Sequence, residues 1–303
     1  MQHWIRQCRT SGPRCWRSSV SLAAKDSRQA WGLLAPALVW TAAFFVLPFL
    51  GMVALSFANM EGRDIVRGFD PGNYARIFTD TVMLGALRNS LEITVVVTVI
   101  SVVLAYPLAA IIAFRVPARW QRLALMMAVL PFWTSYVVRS YSWLLVLGQN
   151  GVVNKALLGL GLIAEPLQIA STRTATVIGF VHFFVMLLTL TIYANLIQLS
   201  PNYARAAQDL GASRWQTFAH VILPLTLPGV VTGAFLTFVL SIGDYITPQI
   251  LGGNTELTLP QLIMLQLGRS GNFPLASALS VVLMAVVTLA YFASSRWLRL
   301  DRV

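Results

Sequence analysis

Long apolar runs separated by short polar connections set the pattern of this chain. Six of them, at 33–57, 91–114, 123–147, 175–199, 222–242 and 273–295, are long enough to cross about 30 Å of hydrocarbon as helices. The fold class they predict is all-α integral membrane, with six transmembrane helices. A tail at 1–32 precedes the first helix at 33–58. An outer loop at 59–90, a five-helix core at 91–296 and a short segment at 297–303 follow. Pro107 lies inside the second run, where a kink is expected.

The polar island between the fourth and fifth runs, 199–224, has helical structure of its own. Ser200 can cap a first helix with Pro201 at its first position, where the missing N–H costs nothing. Tyr203, Ala206, Ala207 and Leu210 then share one face, and Asn202, Arg205, Gln208 and Asp209 take the other. Gly211 suits a left-handed residue ending that helix, and Ser213 with Gln216 has the capping-box form that starts a second. Leu223-Pro224 is expected to turn the chain into the next apolar run. Two adjacent alanines let another surface come close, with Tyr203 and Leu210 as anchors. The same stretch also reads as an ordinary connector between spans.

Composition strengthens the membrane assignment. Of 303 residues 57% are hydrophobic and 11% charged, against about 25% charged in soluble domains. The net charge of +11 invites a nucleic-acid reading until its distribution is considered. Arg6, Arg9, Arg14, Arg17, Lys25 and Arg28 precede the first run, and Arg115, Arg119, Arg122, Arg205, Arg214, Arg296, Arg299 and Arg302 fall in alternate connections. Only Asp26, Asp209 and Asp301 oppose them, whereas the other connections are balanced. Such asymmetry predicts both termini and the 200–221 loop on the cytoplasmic side of the membrane. Nucleic acid is not an expected partner. Membrane lipids are, and the basic tail suits anionic headgroups. Cys8 and Cys15 both lie in that tail, so neither a disulfide nor a metal site is expected.

Candidate chemistry is sparse. Arg139 sits near the middle of the third run with no acid on its own helix, surrounded in sequence by Trp133, Tyr136, Tyr141 and Trp143. A cation at that depth faces a water-filled path or a partner group; alternatively it pairs with backbone carbonyls beside an aromatic belt. Glu92 opens the second run, where solvation can satisfy it. His182 is alone, and a packing role is the plainer reading. Asp244 and Tyr245, after the fifth run, can meet a cationic substrate, the acid by charge and the ring by about 0.5 to 2 kcal/mol of cation–π attraction. Asp244 can equally cap the next short helix. No Gly-x-x-x-x-Gly-Lys-Ser/Thr occurs, and no paired carboxylates or Ser/His/Asp cluster suggest catalysis, so no catalytic residue is assigned.

Three stretches carry a family resemblance. Ala206, Ala207, Gly211, Leu223 and Pro224, with Val221 for the usual Ile and Arg205 for the usual Glu, resemble the cytoplasmic loop of ABC-importer permeases. Pro131 to Ser135, Arg139-Ser140-Tyr141-Ser142-Trp143 and Gly148 to Asn154, together with Ser241 to Gly253, resemble permeases of spermidine/putrescine importers. The resemblance implies a type I architecture with one extra N-terminal helix. It implies a homologous second permease, an ATP-binding subunit dimer that uses ATP and Mg, and a periplasmic substrate-binding protein; no cofactor is expected on this chain. ATPase coupling would fall to Tyr203, Arg205, Ala206, Ala207, Asp209, Leu210, Gly211, Leu223 and Pro224. A substrate pathway would include Asp244, Tyr245, Trp133, Arg139, Tyr141, Trp143 and Glu92. Related permeases for ferric iron, thiamine, aminophosphonates or opines leave the cargo open. An autonomous carrier or channel is the rival, and it calls for intramembrane acids or an inverted repeat.

Overall fold

The computed structural model describes residues 31–298 apart from 63, 67, 254 and 255. The basic tail with Cys8 and Cys15 and the chain from 299 onward lie outside the described residues. The chain divides into two compact units, residues 1–55 and 56–303. Helix α1 (Trp31–Ser56) supplies the described part of the first and widens to π geometry over Ala42–Val46. Phe44, at the middle of that segment, is four residues before Pro48, whose ring would otherwise clash with the Phe44 carbonyl.

The second unit opens with the one sheet among the described residues, an antiparallel hairpin of β1 (Asn59–Glu61) and β2 (Asp64–Val66) turning at Gly62, φ +66°. Asp70 then organises the expected Asp-Pro-Gly turn, accepting from the Gly72 N–H at 2.8 Å and from Asn59 Nδ2 at 2.6 Å. Helix α2 (Gly72–Thr79) leads to Asp80, whose carboxylate caps α3 (Thr81–Phe114) by accepting from the Val82 and Met83 N–H groups. The second span therefore begins well before the apolar run at Leu91. It continues through Pro107 as one helix.

The third span is not the straight helix the apolar run predicts. Helix α4 (Ala118–Val129) passes into a 3-10 turn at Leu130–Trp133, and α5 (Tyr136–Leu147) and α6 (Val152–Gly159) follow. The arms on either side of the break are bent by 89°. Pro131 brings no N–H to the ladder, and Thr134 and Ser135 take extended backbone angles, ψ 148° and 134°. Hydropathy records how apolar a run is and says nothing of its direction.

Helices α7 (Arg173–Leu196), α8 (Pro201–Asp209), α9 (Arg214–Ile242), α10 (Ile246–Leu251), α11 (Leu259–Leu265) and α12 (Phe273–Leu298) complete the unit. No turn occurs at Leu223-Pro224. Helix α9 runs through it, with a π segment at Phe218–Ile222 centred on His220, four residues before Pro224, as in α1. Among the described residues five helices are long and apolar enough to cross a membrane, or six if the bent pair counts as one span.

Helices α3, α7 and α9 form the centre. Ala105, Tyr106 and Ala109 of α3 pack with Leu188, Ile192 and Leu196 of α7 and Val230 of α9. Lipid removes most of the hydrophobic gain from helix association, so close approach and interhelical hydrogen bonds carry more of it. Gly233 shows the approach: a Cβ there would lie 2.8 Å from Leu188 Cδ2. Gly229 likewise faces the Asn195 side chain. Tyr106 and Thr226 share a buried hydrogen bond of 2.9 Å between α3 and α9, a contact of the kind worth roughly 0.6 to 2 kcal/mol in membranes.

Candidate functional site: a capped knob and a bent span

The polar island folds as its caps predict. Ser200 Oγ accepts from the Asn202 N–H at 3.3 Å, and Pro201 stands in the first turn of α8. Gly211 is left-handed at φ +85°. Ser213 and Gln216 exchange bonds at 2.8 and 3.3 Å, a complete capping box at the start of α9. Tyr203, Arg205, Ala206, Asp209 and Leu210 are exposed, Leu210 by 89%, and Ala207 is half-buried. An uncovered leucine and tyrosine flanking two alanines form a surface built to be covered. Leu223 and Pro224 are not part of this knob: both belong to α9, where Leu223 packs against the central core.

Around the bend, the aromatic company of Arg139 differs from the sequence expectation. Its guanidinium lies 4.9 Å from the Phe183 ring centroid and 5.5 Å from that of Tyr136, and Nη1 donates to the Pro131 carbonyl at 3.0 Å. Among the described residues no carboxylate lies within 4 Å of it. Trp133 is 87% exposed, Tyr141 is exposed, and Trp143 donates its indole N–H to His182 Nδ1 at 3.0 Å. Arg139 thus ties α5 back to the turn before it, with Phe183 of α7 as its platform, and His182 is an acceptor in a packing contact.

Asp244 has two structural tasks. One oxygen accepts from the Ile246 N–H at 2.8 Å, at the start of α10. The other accepts from the Thr247 hydroxyl at 2.8 Å and from the Tyr136 hydroxyl of α5. Three accepted bonds leave one of a carboxylate's roughly four acceptor positions, on a half-buried group beside the half-buried ring of Tyr245. The charge and the free position suit a cation. Tyr136 is the residue that sequence reasoning did not assign: nothing in its spacing announces a partner more than a hundred positions away.

Glu92 bridges two helices. Arg88 Nε donates to it at 2.6 Å within α3, and Arg173 Nη2 of α7 at 2.8 Å; Arg173 also lies 4.0 Å from Glu256. It shares no hydrogen bond or ion pair with Asp244 or Arg139. Among the described residues no group of three or more His, Cys, Asp or Glu side chains could hold a metal ion.

Apolar spans, a sharply broken third span and an exposed helical knob between the fourth and fifth define the membrane component of a transporter. The chain belongs to the family described as "Binding-protein-dependent transport system inner membrane component", which it matches over residues 82–300. It is 32% identical over 263 residues to the spermidine/putrescine transport system permease protein PotB of Salmonella typhimurium (strain SL1344), covering 86% of this chain and 91% of that protein. The inner membrane ABC transporter permease protein YdcU of Escherichia coli (strain K12) is 32% identical over 234 residues, covering 73% of this chain and 71% of its own. In fold the chain is similar to a subunit of a bacterial alginate ABC transporter solved with an alginate pentasaccharide-bound periplasmic protein, with a TM-score of 0.71, 18% identity, and 91% of this chain and 96% of that one covered. The chain is an inner-membrane permease of a binding-protein-dependent system, and its relatives work as subunits of ABC transporters.

Proposed function

We propose that this chain imports polyamines as the membrane-spanning subunit of an ATP-driven assembly. The observation that carries the reading is its 32% identity to spermidine/putrescine permeases over 86% of its length. Asp244, with charge and an acceptor position to spare, and the adjacent Tyr245 suit a cationic cargo. A second permease faces this one, a dimer of ATP-binding subunits seats α8 and hydrolyses ATP with Mg, and a periplasmic protein delivers substrate. Both termini and α8 face the cytoplasm, in keeping with the arginine-rich connections on that side. ATP-driven closure of the ATPase pair moves α8, and the energy enters through different contacts in the inward-open and outward-open states.

The test is uptake of labelled spermidine by proteoliposomes holding the purified assembly, ATP and its periplasmic binding protein. ATP-dependent accumulation is expected. Accumulation of a different solute and no polyamine would overturn the cargo; uptake by this chain without any ATPase would overturn the mechanism.

A further inference from the structure

A basic groove of about 600 Å³ separates α8 from the membrane-side ends of α3 and α9, and Arg115, Arg205 and Arg214 line it with Thr217 at its wall. None of these arginines has a carboxylate within 4 Å among the described residues. Helix geometry explains why Arg205 is here: Pro201, Ala204, Arg205 and Gln208, at i, i+3, i+4 and i+7, face the groove, while Ala206 and Leu210 face away. Thr217 is only 3% exposed, and among the described residues its hydroxyl has no hydrogen-bond partner. A buried hydroxyl is normally satisfied; Thr217 shares this state with Ser101, Thr237 and Ser241, and of the four it is the one at the wall of the basic groove.

A second groove, of about 660 Å³, meets the first at Phe114 and Arg115. Tyr106, Pro107, Ala110 and Ile111 of α3 line it with Trp215 and Phe218 of α9. One compartment therefore offers three guanidiniums and a hydroxyl donor, and its neighbour offers apolar and aromatic walls at the end of a membrane-spanning helix. We propose that the paired grooves hold one anionic phospholipid of the leaflet on the α8 side, its phosphate among Arg115, Arg205, Arg214 and Thr217 and an acyl chain along α3. Guanidinium forks match phosphate oxygens, and basic pockets between spans are suited to such headgroups. An acidic segment of a partner protein would satisfy the charges and leave the apolar groove empty, which is why a lipid is the better occupant. The bound lipid supports α8 from behind, in contact with Tyr203, leaving Ala206 and Leu210 free for docking.

Native mass spectrometry of the whole assembly, purified from nanodiscs of equal phosphatidylglycerol and phosphatidylcholine, tests this. The wild type is expected to retain one phosphatidylglycerol per copy of this chain. The triple substitution R115Q/R205Q/R214Q should lose it, retention falling roughly fivefold per arginine. R119Q/R122Q, which removes charge outside the groove, should keep it. Equal retention in the triple variant, equal retention of phosphatidylcholine, or an adduct of phosphate mass alone would each overturn the proposal. So would loss of the ATPase subunit from the triple variant with its lipid intact, which would assign the arginines to a protein partner. Should that variant fail to assemble, Thr217→Val decides. An empty groove predicts a more stable protein with unchanged lipid, and an occupied one predicts reduced phosphatidylglycerol retention.

Discussion

Tyr136 on α5 donates its hydroxyl to Asp244 in the turn between α9 and α10, joining residues 108 positions apart. Thr247 donates to the same carboxylate oxygen, so the broken third span is pinned to the C-terminal end of α9 through one acid. Any cation that reaches Asp244 meets a group already held in place.

Removing the Tyr136 hydroxyl with Tyr136→Phe should therefore loosen α5 against α10, at a cost of about 1 to 3 kcal/mol. Asp244→Asn keeps the shape and removes the charge. Uptake by assemblies carrying D244N should fall through a raised KM, whereas Y136F should chiefly lower the melting temperature. A double-mutant cycle on thermal stability should give a coupling above about 0.5 kcal/mol. Strict additivity would dissolve the pair, and unchanged uptake by D244N would remove Asp244 from the pathway.

Gly211 occupies φ +85° with nothing among the described residues within 4 Å of where a Cβ would sit. A substitution here acts through the backbone, not through a clash. Gly211→Val should strain or unravel the joint between α8 and α9, at about 1 to 3 kcal/mol. Transport should then drop at least tenfold while membrane insertion and basal ATP hydrolysis persist. Gly211→Asn tolerates the left-handed region and should keep most activity. Equal transport in the Val and Asn variants would deny the joint a coupling role.

How much was legible in the sequence follows from the range of each interaction. The joint around Gly211 was readable residue by residue, because Ser200, Pro201, Gly211, Ser213 and Gln216 act within one helical turn. Five of the six apolar runs correspond to single helices for a similar reason. The break in the third did not show, since Pro131 and Thr134 sit inside a stretch whose average is apolar. The surroundings of Arg139 were misjudged because Trp133, Tyr141 and Trp143 are its neighbours in sequence, whereas Phe183 is its neighbour in space. The π segments in α1 and α9 lie ahead of visible prolines, yet whether a proline bends, ends or merely widens a helix depends on what packs around it.

Glu92 now has a structural account that competes with a place in the substrate pathway. Its bonds to Arg88 and Arg173 link α3 to α7, and the Arg173 and Glu92 side chains are 32% and 39% exposed. Water screens such pairs, so the contribution should be no more than that of an ordinary surface ion pair. Glu92→Gln is expected to shift stability by no more than that, less at high salt, with KM for polyamine within twofold of wild type. A large KM change with normal stability would return Glu92 to the pathway.

Asp70, outside the spans, has a titration that reports on the loop between α1 and α3. The Asn59 amide and then the Gly72 N–H hold its carboxyl below the ordinary value of 3.8. A depressed folded pKa means that its stabilising contribution is complete above that value and is lost as pH falls through the folded one. Hydrogen exchange at Gly72 should accelerate as pH drops below about 3.8 relative to neighbouring amides, after correction for intrinsic rates. Asp70→Asn should abolish that step. An identical acid profile in the two proteins would detach the loop from Asp70.

Arg139 offers the sharpest check on the bent span. Three contacts meet there: one hydrogen bond to the Pro131 carbonyl and two aromatic faces, all on a residue only 8% exposed. Lysine can place a charge near the rings but cannot stack flat while donating sideways. Arg139→Lys and Arg139→Ala should both destabilise the assembly, each by more than the roughly 0.5 to 2 kcal/mol of one cation–π contact. A spin-label pair on α4 and α5 should report a broader distribution of distances across the 89° bend in either variant. If the lysine variant keeps both the wild-type melting temperature and a narrow distribution, the guanidinium shape is irrelevant and a point charge at that position suffices.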